Sequence, residues 1–149
     1  MRRIDMFLQK DNLNTAIEAV AQGSIIGIPT ETVYGLGVDP YSEEAVKSLF
    51  NIKDRDNSKP VSLLVPSYGS VHKLNIITDI PEVVDLYWPG PLTVVVETSE
   101  KFVDGVGNKS PNTIGIRVPD NKLAIELLNT TGPLAVTSAN LTGQKEAKT

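Results

Sequence analysis

Residues 24–38, SIIGIPTETVYGLGV, constrain the chain most. Ser24 to Ile28 is short, apolar and rich in β-branched residues, which suits an interior strand. Pro29 cannot donate to a ladder and so ends it. Beyond it, Thr30, Glu31, Thr32 and Tyr34 place two hydroxyls, a carboxylate and a phenol at a strand's carboxyl end, before Gly35 and Gly37 let the backbone turn. Ligands of open α/β sheets bind at such ends. A solvated turn is the plain alternative, but three hydroxyl residues and an acid between proline and glycine are richer than a turn requires.

The rest of the chain alternates helical and strand signals. Asn12 or Asn14 caps a helix presenting Leu13, Ile17, Val20 and Ala21, and Gly23 stops it. Ser42 caps a second helix, with Glu43 and Glu44 at its positive end and Ala45, Val46, Leu49 and Phe50 toward the core; it ends near Ile52. A charged stretch, KDRDNSKP, leads into a strand from Val61 to Val65. Short helices are expected from Ser67 to Leu74 and from Pro81 to Trp88. The WPGPLT stretch turns sharply before a strand from Leu92 to Val96. Residues 99–112 read as loop, followed by a strand from Thr113 to Val118. Asp120 or Asn121 then caps a helix carrying Leu123, Ala124, Leu127 and Leu128, which Gly132 terminates. A last strand, Leu134 to Thr137, runs into SANLTG. This alternation predicts an α/β domain with a mixed sheet.

With 149 residues and 40% hydrophobic content, one domain over 1–149 with a real core is expected. A formal net charge of -4 gives no general basic footprint for nucleic acid, although a local basic cleft stays open. Cysteine is absent, which removes disulfides, thiolate nucleophiles and cysteine metal sites and fits a reducing compartment. No apolar run could span a bilayer, so a soluble, cytoplasmic protein is expected. There is no GxxxxGK[ST] loop, no third glycine after Gly35 and Gly37, and no GxSxG elbow. His72 is the only histidine, which counts against triad hydrolysis and histidine metal chemistry. Phosphate would have to be handled by side chains.

Those side chains are available in the basic loop. Lys53 and Arg55 are two apart, so an extended segment points both to one side, and Lys59 adds a third charge. The trio could clamp a polyphosphate, or form a solvated loop neutralised by Asp54 and Asp56. After the last strand, Thr137, Ser138 and Asn140 could hold phosphate oxygens or a ribose, or cap a helix beginning near Leu141. Arg117, within IGIRVP, could project into a cleft for bidentate capture of a carboxylate, or form a surface cross-strand pair.

PTETVYGLG, KDR…KP, WPGPLT, TIGIRVPD and TSANLTG together resemble, in order, the motifs of the YrdC-type threonylcarbamoyl-AMP synthase family, over about Gly23 to Gly143. The resemblance implies a YrdC-like α/β fold: a twisted open mixed sheet with flanking helices and a positively lined cleft. It also implies condensation of L-threonine, bicarbonate or carbon dioxide and ATP, with Mg²⁺, into threonylcarbamoyl-adenylate plus pyrophosphate. The product would feed threonylcarbamoyl modification of tRNA by downstream proteins. On this resemblance Thr32 contacts threonine, Tyr34 shapes its pocket and Arg117 pairs with its carboxylate. Lys53 and Arg55, with Ser138 and Asn140, hold the phosphates, while Lys59, Thr113 and Val136 line the nucleotide site. Lys53 and Arg55 would stabilise the charge that builds on phosphate oxygens as a carbamate oxygen attacks the α-phosphorus.

Two departures stand out. Leu64 stands where some relatives carry a histidine, and the chain ends at Thr149 where family domains usually continue, so a C-terminally short member is expected. Two other readings share the fold: a non-catalytic module binding RNA or tRNA, for which 5% aromatic content offers few stacking platforms, and a YciO-type paralogue or carbamoyl-transfer module with a different substrate.

Overall fold

The computed structural model describes residues 4–53 and 61–138. β1 (Met6–Phe7) leads to α1 (Leu13–Ala21), and β2 (Ile26–Ile28) follows. The Asn12 side chain does not cap α1. Its Oδ1 accepts from the Gln9 amide at 2.7 Å and its Nδ2 donates to the Phe7 carbonyl at 2.9 Å, so it pins the loop before the helix instead. The helix buries Ala16 and Val20 and leaves Ala21 exposed, one position off the expected stripe.

β3 (Gly35–Val38) pairs antiparallel with β2, Ile28 facing Gly35. Gly35 and Gly37 are therefore strand residues, where the sequence suggested turning points. A Cβ on Gly37 would lie 2.4 Å from Cδ1 of Ile28, so the glycines make room for their neighbours' side chains. α2 (Glu43–Lys53) begins as expected, with Ser42 Oγ accepting from the Ala45 amide at 3.2 Å and Glu43 and Glu44 in the first turn. Lys53 closes this helix rather than opening an extended segment.

The chain continues through β4 (Ser62–Leu64), a 3₁₀ turn (Gly69–Leu74), α3 (Val84–Tyr87), β5 (Val94–Glu97), the two-residue β6 (Asn108–Lys109) inside the expected loop, and β7 (Asn112–Arg117). α4 (Lys122–Thr131) is capped by Asn121, whose Oδ1 accepts from the Ala124 amide at 3.0 Å. Gly132, at φ +81, lets the chain leave the helix for β8 (Leu134–Ser138).

Among the described residues the sheet order is β1-β2-β3-β8-β4-β7-β5, with β6 paired to β7. β1 and β2 are parallel, as are β4 and β7; the remaining pairs are antiparallel, so the sheet is mixed as expected. Because side chains alternate across a strand, the sheet has two distinct faces. One carries Leu36, Val38, Leu63, Ile114, Ile116 and Ala135 beneath Ala45, Val46, Leu49 and Phe50 of α2. The other carries Ile26, Ile28, Leu64 and Leu134 against α1 and α4, through Ala16, Val20, Ala124, Leu127 and Leu128.

Register puts Ser62, Gly115, Arg117 and Val136 on that second face, beside the part the helices cover. Val95, opposite Gly115, is 68% exposed there. No helix among the described residues is long and apolar enough to cross a membrane.

Candidate functional site

The β2–β3 connection, residues 29–34, is held by one hydroxyl. Thr30 Oγ1 accepts from the amides of Thr32 and Val33, both at 3.2 Å, and donates to the Val33 carbonyl at 2.5 Å. Since a hydroxyl has a single proton, the 3.0 Å contact between Thr30 and Thr32 hydroxyls is donated by Thr32. The Thr32 oxygen is then left as an acceptor, and Arg117 Nη2 donates to it at 3.4 Å.

Arg117 ends β7 and ties three segments together. Its Nε donates to the Gly90 carbonyl at 2.9 Å, while the Gly90 amide donates to the Val118 carbonyl at 2.8 Å. A Cβ on Gly90 would lie 2.2 Å from the Tyr87 carbonyl oxygen, so only glycine fits this turn. Nη2 of Arg117 forms an ion pair with Glu31 Oε2, and Glu31 Oε1 accepts from the Asp120 amide at 3.2 Å. Burial pushes the Glu31 carboxyl up, but the hydrogen bonds from Arg117 and Asp120 and the guanidinium charge outweigh it and hold the group below its ordinary value. The two side chains are 16% and 21% exposed, so the pair is partly screened from water.

Next to this junction a cavity of about 440 Å³ opens on the uncovered part of the second sheet face. Its lining comes from the 29–34 loop (Thr30, Thr32, Val33), β3 (Gly35), β4 (Ser62, Leu64), the segment before β5 (Pro91, Thr93), β7 (Arg117) and β8 (Val136, Thr137, Ser138). The cavity thus brings together Thr32, Arg117, Val136 and Ser138 of the residues that the sequence singled out.

Tyr34 does not line the cavity; its ring meets Phe7 edge-on at 5.8 Å between centroids. Thr113 lies toward the other end of β7, facing Glu97 and Asn108, and its Oγ1 accepts from Asn108 Nδ2 at 3.4 Å. Arg55, Lys59 and Asn140 lie outside the described residues, as does the side chain of Lys53.

Ser62, Thr93 and Gly115 were not foreseen. They meet at close quarters, a Cβ on Gly115 lying 3.0 Å from that of Ser62 and 3.2 Å from Cγ2 of Thr93. The signal that could have found them is the small or hydroxylated residue breaking an otherwise apolar strand: Ser62 in VSLLV and Gly115 in TIGIR.

Chemically, the described lining offers hydroxyls and one guanidinium, a donor set suited to oxyanions. No three His, Cys, Asp or Glu side chains cluster as metal ligands among the described residues. Glu31, the carboxylate at this rim, has both oxygens engaged. Nothing described here would hold Mg²⁺ by itself, so magnesium enters only as an ion carried by nucleotide phosphates.

The comparisons with known proteins agree with this arrangement. The Sua5_yciO_yrdC family, described as telomere recombination, matches residues 18–149. Curated relatives from Mycobacterium tuberculosis are 35% identical over 133 residues, 87% of this chain and 60% of their own length, so the chain spans about three-fifths of them. The threonylcarbamoyl-AMP synthase of Vibrio vulnificus (strain YJ016) is 35% identical over 143 residues, 93% of this chain and 76% of that protein. The crystal structure of Pyrococcus abyssi Sua5 complexed with L-threonine superposes with a TM-score of 0.75 at 28% identity, covering 93% of this chain and 42% of that one. By sequence and by fold, the chain belongs to the Sua5/YciO/YrdC family.

Proposed function

We propose that the chain carries the threonine and nucleotide subsites of a threonylcarbamoyl-AMP synthase. The observation that carries this reading is the meeting of Arg117 with the Thr32 loop at one rim of a cavity that runs across β7, β4, β8 and β3 to Ser138. Relatives named for this activity, and a relative whose structure holds L-threonine, support the same assignment.

In this reading the Arg117 guanidinium receives the threonine carboxylate, and the Thr32 oxygen, free to accept, receives a donor from the same substrate. Tyr34, behind the loop, shapes the pocket through its packing on Phe7. Lys53 and Arg55 with Ser138 and Asn140 hold the nucleotide phosphates, and Lys59, Thr113 and Val136 line the nucleotide's path. These assignments to Lys53, Arg55, Lys59 and Asn140 rest on the motifs, as does the positive lining of the cleft.

The chemistry suits such a site. The unprotonated threonine amine adds to carbon dioxide and forms a carbamate. A carbamate oxygen then attacks the α-phosphorus of ATP in line, and pyrophosphate leaves with the electron pair of the broken P–O bond. Orientation and fixed positive charge lower this barrier, and no histidine base is required. Bicarbonate supplies the carbon dioxide, Mg²⁺ accompanies ATP, and the adenylate would pass to proteins that modify tRNA.

Pyrophosphate release from ATP and bicarbonate, measured with and without L-threonine on this 149-residue chain, tests the proposal. Threonine-dependent release is the expected result. No release, together with salt-sensitive RNA binding, supports the RNA-binding reading instead. Release that ignores threonine but depends on another carboxylate substrate supports a paralogue's chemistry.

A further inference from the structure

We infer that Glu31 is a positioning residue for Arg117: it holds the guanidinium so that one nitrogen, Nη1, is presented to the carboxylate of the amino-acid substrate. This deepens the proposed function and rests on Arg117 receiving that carboxylate.

The argument starts from the donors. Nε is committed to the Gly90 carbonyl, and Nη2 to Glu31 and Thr32. Nη1 bonds none of the described residues, yet no buried polar side-chain atom lacks a partner, so Nη1 is open to solvent. A fork-to-fork grip on an incoming carboxylate needs two neighbouring nitrogens, and both such edges of this guanidinium include Nη2. The bidentate capture expected from the sequence therefore gives way to a contact through Nη1.

Glu31 is built in rather than resting in the substrate's place. Each carboxylate oxygen has its own donor, one on the Arg117 side chain and one on the backbone of Asp120. Displacing it would strand the Asp120 amide and uncover a negative charge beside an anionic substrate. A carboxylate is also the group required, since both neighbours donate and Gln offers one acceptor and one donor. With Glu31 in place, the β2–β3 loop, the end of β7 and the turn before α4 are joined at a single side chain. A substrate would then meet a guanidinium already oriented, with less ordering left to do on binding.

The test has a ligand-free arm and a ligand arm. In the first, the Arg117 Nε–H resonance is followed by ¹⁵N NMR in the wild-type chain and in Glu31→Gln, with solvent exchange expected to quicken about tenfold in the variant. In the second, L-threonine is titrated against the fluorescence of Trp88, the sole tryptophan, whose Nε1 donates to the Leu92 carbonyl close to Gly90. Glu31→Gln is expected to weaken threonine about tenfold and leave ATP binding unchanged. Glu31→Asp, which keeps the charge but shortens the reach, is expected to fall between and serves if the Gln variant does not fold.

Unchanged exchange and unchanged threonine affinity overturn the inference. Tighter threonine binding by Glu31→Gln overturns it too, because Glu31 would then be a competitor for Arg117. A wild-type chain that gives the expected exchange but binds no threonine overturns the functional reading and, with it, the ligand named here.

Discussion

Gly35 of β3 lies hard against Val136 of β8: a Cβ built on the glycine would sit 2.5 Å from Cγ1 of the valine. Both residues line the cavity, so this is where the sheet is thinnest beneath it. Gly35→Ala must move Val136 or part the two strands, at a cost of about 1–3 kcal/mol. A lower urea midpoint with an unchanged slope is the expected signature. Threonine and nucleotide binding should weaken in the same variant, because the displaced valine enters the cavity.

Arg117→Lys keeps the charge but loses the planar fork that reaches Gly90, Glu31 and Thr32 together. Threonine-dependent pyrophosphate release should fall about 30-fold, corresponding to about 2 kcal/mol. The loss is expected in the threonine KM, with the ATP KM little changed. Lys53→Ala and Arg55→Ala should show the opposite split, abolishing turnover while threonine still binds. Steady-state kinetics beside a threonine titration separate the two patterns.

Acid should expose the Glu31 contact. Its folded-state carboxyl sits below the ordinary value of 4.5, because the Arg117 and Asp120 contacts outweigh the burial that pushes the other way. A lowered folded pKa means that the stability from this group is complete above the unfolded value. It drains away as pH falls through the folded one. Urea denaturation from about pH 6 to 3 should therefore show the wild-type advantage over Glu31→Gln shrinking below pH 4.5. An advantage that stays constant across that range would show that the carboxylate charge contributes nothing.

The cap of α4 offers a prediction remote from the cavity. Asn121 Oδ1 accepts from the Ala124 amide, and Asn121→Ala should cost about 1 kcal/mol. The thermal midpoint should drop by about 3–5 °C with kinetics unaffected.

Local signals in the sequence translated well into structure. Pro29 ends β2, Ser42 caps α2, Asn121 caps α4 and Gly132 releases the chain, each because a single residue sets its own backbone or hydrogen-bond geometry. The misreadings share a cause, since they depend on neighbours distant in sequence. Gly35 and Gly37 resembled turn residues until β8 and the side chains of Ile28 and Val136 were placed against them. β1 and β6, two residues each, exist only through pairing with β2 and β7.

The site divides in the same way. Thr32, Arg117, Val136 and Ser138 could be picked from polar residues at strand ends, and they share one cavity. The pairing of Glu31 with Arg117 crosses 86 positions of sequence, and no local pattern announces it. Asn12 shows the limit from the other side: an ideal capping residue at the start of α1 spends its hydrogen bonds on the preceding loop.

The sheet order places the cavity floor on β3, β8, β4 and β7, strands flanked on both sides by partners. Such strands exchange their amide hydrogens through the rarest openings of a domain, those close to complete unfolding. A ligand resting there is coupled to the slowest-exchanging backbone in the protein, not to a loop that opens independently. Each tenfold excess of ligand over its dissociation constant should then slow exchange at the centre of the sheet about tenfold. Occupancy of the cavity would be written in the protection of residues that never touch the ligand.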